Sequence, residues 1–107
     1  MSRLLSPDVG ALALTAADPV DDEPRTAAAT LDTLGDTEIG VWSIDLGVAR
    51  DTEVDEVFVV LSGRASVSVE GAETLELAPG SAVRLNAGDR TTWVVHEPLR
   101  KLYIAVG

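Results

Sequence analysis

From Glu38 onward the chain is a succession of short apolar runs separated by turn residues, and this rhythm excludes most folds. Runs rich in Val, Ile and Thr, broken by turn signals about every 8–12 residues, mark a β-sandwich or β-barrel. Strands are predicted over residues 39–45, 56–62, 65–70, 74–77, 82–85, 91–96 and 99–106. Turns are predicted at Gly47, Ser62-Gly63, Gly71, Pro79-Gly80, Ala87-Gly88-Asp89 and Pro98. Within the runs the side chains alternate. Val67 and Val69 oppose Ser66, Ser68 and Glu70, and Val83 and Leu85 oppose Arg84, so each run has a core face and a wet face. No helical crossover of a dozen residues separates the runs, which makes neighbouring strands antiparallel. A sheet of this kind rolls closed and so removes its exposed edges.

The first third reads differently. Residues 1–36 are rich in Ala, Thr, Asp and Pro, with Asp18, Asp21, Asp22 and Glu23 gathered around Pro19 and Pro24 as a solvated loop. Residues 9–14 suit a short strand, an arm that could pair with an edge or be exchanged between two subunits. Residues 26–34 suit a strand and a helical turn equally. The division expected is an N-terminal arm over 1–36 and one barrel domain over 37–107.

Charge and composition remove several function classes. Eighteen acidic and eight basic side chains leave a formal charge of −10, with no basic stripe to neutralise phosphates. Nucleic acid and anionic membrane surfaces are therefore excluded as partners. No apolar run approaches the ~18 residues of a membrane span. Cysteine is absent, which rules out disulfides, thiolate metal sites and cysteine nucleophiles. Pro7 and Asp8 interrupt the only stretch resembling a secretory signal, so a cytoplasmic location is expected. No dinucleotide or P-loop glycine pattern is present, and no nucleophile-elbow sequence.

Three stretches carry a family resemblance. They are Glu56-Val-Phe-Val-Val-Leu-Ser-Gly63-Arg64, Leu77-Ala-Pro79-Gly80-Ser81, and Asn86-Ala-Gly88. In order and spacing they resemble the two-motif signature of the cupins. Gly40-Val-Trp42 and the stretch from Trp93 through His96, Glu97, Pro98, Arg100 and Lys101 to Tyr103 resemble the subgroup of the (S)-ureidoglycine aminohydrolase cupin domain. The likeness covers residues 37–106. It implies an all-β, jelly-roll-like barrel, the double-stranded β-helix, with a pocket inside the roll.

Many cupins hold a divalent metal in that pocket, using two His and a Glu from the first motif and a His from the second. Glu56 and Gly63 match the end of the first motif. With three intervening residues, Arg50 and Thr52 stand where the histidines belong; with four, Ala49 and Asp51 do. Thr91 replaces the histidine of the second motif. Only Glu56 of the four usual ligands remains, so no tightly bound metal is expected. A divalent ion, if one bound, would use Glu56 with Asp51 or His96.

Glu56 reads either as an acid/base or ligand anchor inside the roll or as a Glu at its mouth, reaching water or Arg50. Counting by twos without a bulge puts Arg50, Thr52, Val54 and Glu56 on one face, so an Arg50–Glu56 ion pair is one candidate substitute for a metal. Asp51, Glu53 and Asp55 then form a solvated acidic face. The expected pocket residues are Arg50, Thr52, Glu56, Phe58, Thr91, Trp93 and Tyr103. Trp42 is read as core and His96 as a strand-end residue bonded to backbone or solvent. Arg100 and Lys101 are read as balancing the acidic surface or holding a carboxylate.

Three functions fit. One is a cupin that binds a small molecule without metal. Another is a metal-assisted hydrolase resembling ureidoglycine aminohydrolase. The third is a non-catalytic structural or regulatory module. A homodimer is the expected assembly, and no residue is singled out as catalytic.

Overall fold

The computed structural model describes residues 3–107. Eight strands form one antiparallel sheet: β1 (Thr15–Ala16), β2 (Thr26–Leu34), β3 (Thr37–Ile44), β4 (Gly47–Thr52), β5 (Glu56–Val69), β6 (Thr74–Leu77), β7 (Ala82–Leu85) and β8 (Arg90–Val106). Their order is β1-β2-β3-β8-β5-β6, with β4 added on β8 and β7 on β5. Among the described residues no helix is long and apolar enough to cross a membrane.

Two long strands make the roll. β5 has 14 residues and β8 has 17, and each serves both halves of the barrel. The first half of β5 lies between β7 and the end of β8, and its second half between β6 and the start of β8. β3 and β4 then cover the two halves of β8. The bend falls where β5 shifts register repeatedly between Val60 and Ala65. Gly63 sits there at φ 89°, and a Cβ on it would collide with the backbone of Pro98. Only glycine meets both demands without strain. Ser62-Gly63 and Pro98 are thus bends inside continuous strands, not the turns expected from sequence.

Three other expectations change. β4 was not foreseen as a strand, because Gly47 reads as a turn and the run Gly-Val-Ala-Arg-Asp-Thr is mostly exposed and lacks apolar alternation. Residues 26–34 resolve as strand β2, hydrogen-bonded along β3, so the sheet begins ahead of residue 37. Residues 9–14 are not a strand. The Arg100 guanidinium donates to the carbonyls of Val9 and Leu12 at 2.9 and 2.8 Å, which ties the segment to its own barrel. The short β1 that follows pairs with β2.

Alternation sorts the remainder. Phe58, Val60 and Val67 of β5 point inward, joined by Ile44, Leu77, Leu85, Trp93, Val95, Leu99 and Tyr103 in a single core. Each such side chain contributes roughly 1.5–3 kcal/mol by leaving water. Val57, Val59, Ile104 and Val106 point outward and are exposed. On β7, Leu85 is buried while Arg84 reaches out to Asp55 at 3.3 Å.

Candidate functional site

Residues directly opposite in an antiparallel pair share a face, and this fixes what β4 shows the barrel interior. Ala49 lies opposite Trp93, and Asp51 opposite Thr91. Trp93 and Thr91 are both buried, so Ala49 and Asp51 lie on the inward side, Asp51 still exposed, while Arg50 and Thr52 face out. The chain then leaves β8. Glu53 exchanges backbone hydrogen bonds with the turn at Gly88 and Asp89, and Glu56 re-enters the sheet opposite Leu85 and Ala105. This break reverses the parity: odd-numbered residues point inward before it, and Glu56, Phe58 and Val60 after it.

The expected Arg50–Glu56 pair is therefore corrected. Arg50 and Thr52 are exposed and border a broad outer groove of about 680 Å³ with Ser68, Glu70 and Arg90. The partner of Glu56 is Lys101, whose Nζ lies 2.5 Å from Oε2, with the two side chains only 6% and 10% exposed. Lys101 stands on β8 opposite Trp42 and Val60, which turns it into the barrel. Its ammonium lies 4.3 Å from the ring centre of Phe58, 4.6 Å from Trp42 and 5.2 Å from Trp93. The two indoles meet edge to face at 5.6 Å. Each desolvated cation–π contact is worth on the order of 0.5–2 kcal/mol. Together with the carboxylate they replace the water the ammonium has lost.

A cavity of about 190 Å³ opens above this pair. Its walls carry four carboxylates, those of Glu38, Asp51, Glu53 and Glu56. The single ammonium of Lys101 and the rings of Trp42, Trp93 and Tyr103 complete them. Glu53 Oε2 accepts from the Thr91 hydroxyl at 2.6 Å and the Trp93 indole N–H at 3.5 Å. Burial raises the Glu53 carboxyl above the ordinary carboxylate range; the Thr91 hydrogen bond opposes this, and the negative charge of Asp51 adds to it. Tyr103 donates its hydroxyl to Glu38 at 2.5 Å. Burial, followed by that bond, pushes the phenol up to about 12. The phenol passes so close over Gly40 that a Cβ there would lie 2.5 Å from its oxygen.

Of the residues expected in the pocket, Glu56, Trp93 and Tyr103 line it, and Phe58 is buried outside its lining with its ring against the Lys101 ammonium. Thr91 acts through Glu53. Of the residues read as a solvated face, Glu53 is half-buried in the wall, whereas Asp51 borders the cavity and stays exposed. His96 is elsewhere: it is exposed on β8, with Nε2 3.1 Å from Ser66 Oγ, which in turn donates to Glu76 at 2.7 Å. It cannot share an ion with Glu56. Lys101, Trp42 and Glu38 were missed as pocket residues. The signal for Lys101 was present, since counting by twos along β8 from Trp93 through Val95, Leu99 and Tyr103 includes it.

The donor set does not fit a cupin metal. The inward positions that match the family's ligands hold Ala49, Asp51, Glu56 and Thr91. Ala49 has no donor atom, the Thr91 hydroxyl is spent on Glu53, and Glu56 is bound to an ammonium. Zn, Fe(II) and their neighbours favour imidazole, which none of these positions supplies. Among the described residues no three His, Asp or Glu groups converge to hold an ion.

A rolled antiparallel barrel with a side-chain ion pair at the bottom of its pocket defines a cupin of the kind that lacks the histidine ligand set. The chain belongs to the EutQ-like cupin domain family, whose model matches residues 31–103. A protein of unknown function from Rhizobium leguminosarum bv. viciae 3841 is 32% identical, over 76% of this chain and 80% of that one, with a TM-score of 0.69. A protein of unknown function from Acidithiobacillus ferrooxidans is 28% identical, over 92% and 96% of the two chains, with a TM-score of 0.67. The Clostridium difficile EutQ protein, 16% identical over 94% of this chain and 85% of that one, shares the fold with a TM-score of 0.79. No curated protein matches the chain in sequence.

Proposed function

We propose that this protein binds a small molecule in the barrel pocket without a metal, and that the Lys101–Glu56 pair stands where other cupins place their ion. The observation that carries this reading is the Lys101 ammonium, 2.5 Å from the one surviving family ligand and enclosed by three aromatic rings. A tethered cation neutralises the buried carboxylate permanently, so the pocket needs no ion to be stable. The cavity, about 190 Å³, lies below the ~300–1,000 Å³ of drug-sized sites and suits a ligand of a few heavy atoms. Open space bounded by polar groups favours binding over a purely structural module. The hydrolase reading draws its support from Gly40-Val-Trp42 and the 93–103 stretch, and Ala49 and Thr91 withhold the donors its metal would require.

The test is metal content by mass spectrometry on protein purified without chelator or affinity tag, beside Glu56→Ala, together with a thermal-shift screen of small amines, alcohols and acids. Absence of stoichiometric metal, with a melting temperature that rises as the logarithm of one compound's concentration, is the expected result. About one metal per chain that disappears in Glu56→Ala would overturn the proposal.

A further inference from the structure

We infer that the molecule bound in this pocket is a small alkylammonium ion, its charged head on the Asp51 and Glu53 carboxylates and its alkyl part against Trp42 and Trp93. The inference rests on the metal-free binding role proposed above and names the ligand class.

Charge counting comes first. The cavity presents four carboxylates against one ammonium, and that ammonium is committed to Glu56. An anion entering would meet the surplus negative charge at close range. A neutral polyol could accept or donate hydrogen bonds but would desolvate the carboxylates without supplying a countercharge, which is costly. A cation removes the repulsion between Asp51 and Glu53 on binding. Acceptor atoms are free for it: Glu53 uses Oε2 for Thr91 and Trp93, and Asp51 uses Oδ1 for the Thr52 amide, which leaves Oε1 and Oδ2.

The chain itself supplies the second argument. Lys101 is an alkylammonium already seated in this barrel, held by a carboxylate and the faces of Trp42, Phe58 and Trp93. The same two kinds of group continue upward from it, with Glu53 and Asp51 beside the same two indoles. A second cavity of about 220 Å³ abuts the first and shares Trp42, Trp93 and Asp51 with it. Asp18 and Glu23 of the acidic loop border this outer space, with Arg25 and Arg50 opposing them. A net charge of −10 over the whole molecule further enriches cations near the entrance.

The experiment titrates wild-type protein with propylammonium chloride, 1-propanol and sodium propionate at constant ionic strength, reading tryptophan fluorescence and melting temperature. Propylammonium alone should saturate, and the double variant Asp51→Asn with Glu53→Gln should weaken it about tenfold or more, since two charge-assisted bonds are lost. Neither substitution removes the hydrogen bond between Lys101 and Glu56, so the variant should fold. Equal binding of propanol or propionate would overturn the cationic class yet leave a small-molecule pocket standing. Propylammonium affinity unchanged in the double variant would put the cation elsewhere and overturn the inference as well. If none of the three probes binds and no compound of any charge in the wider screen does, the proposed function falls with it.

Discussion

Replacing Lys101 with Met keeps most of the side-chain volume inside the aromatic box and removes only the charge. Glu56, 10% exposed, then stays buried without a counterion. Breaking one side of a buried pair costs about 3–5 kcal/mol, because the remaining charge has lost both water and partner. The lost contacts with Phe58, Trp42 and Trp93 place the cost toward the upper end of that range. Against a total stability of about 5–15 kcal/mol, the variant is expected to fold but to melt roughly 15–25 °C lower. The companion variant carries Lys101→Met and Glu56→Leu together. Exchanging both charges for apolar groups of similar size should cost little or even stabilise, since neither desolvation penalty remains. Urea unfolding followed by tryptophan fluorescence reads both variants, because Trp42 and Trp93 report directly on the box. The double-mutant cycle should give a coupling of about 3 kcal/mol or more. A single-variant cost below about 1 kcal/mol, or additive losses in the double variant, would refute the claim that this pair is buried and mutually dependent.

Two further outcomes follow from the pocket's carboxylates and phenol. Burial raises Glu53 above the ordinary value of 4.5, so its contribution favours the fold fully below that value and is lost as pH rises through the folded one. Glu53→Gln should therefore melt higher than wild type at neutral pH, with the gap closing toward acid; a gap that widens in acid would reverse the assignment. Tyr103 is the only tyrosine, so the tyrosinate absorbance of the native protein titrates it alone. The phenol should ionise near 12, and its contribution to stability should be complete below 10 and vanish between those values. Glu38→Gln should move the transition downward without restoring 10, because burial, the larger cause, remains. Titration at 10 in the folded wild type would show the phenol to be in water.

Much of the barrel was legible from residue pattern. Val67, Leu85, Phe58 and Val60 announce their inward faces by alternation, since a strand repeats every two residues whatever lies beyond it. Turn chemistry was less reliable. Gly71, Pro79-Gly80 and Gly88 do separate strands, but Gly63 and Pro98 lie within long ones. A glycine at positive φ looks the same in sequence whether the chain reverses there or merely bends against a partner strand. At Gly63 a side chain would run into the backbone of Pro98, a constraint between β5 and β8 that no local pattern records.

The site divides along the same line. Sequence by itself determined the all-β roll, and its likeness to the cupins marked the missing histidine ligands and Glu56 as the matching carboxylate. It also contained the parity that turns Lys101 inward, because β8 keeps one face through Trp93, Val95, Leu99, Lys101 and Tyr103. Only the tertiary structure decided who pairs with Glu56. The break at residues 53–55, where the chain leaves β8 and joins β7, reverses the faces, sends Arg50 outside and brings Asp51 and Glu53 in. The partner that remains is 45 residues away, brought to 2.5 Å because β5 and β8 lie side by side. Alternation is a local property of one strand, whereas a change of strand partner is set by the closure of the whole barrel.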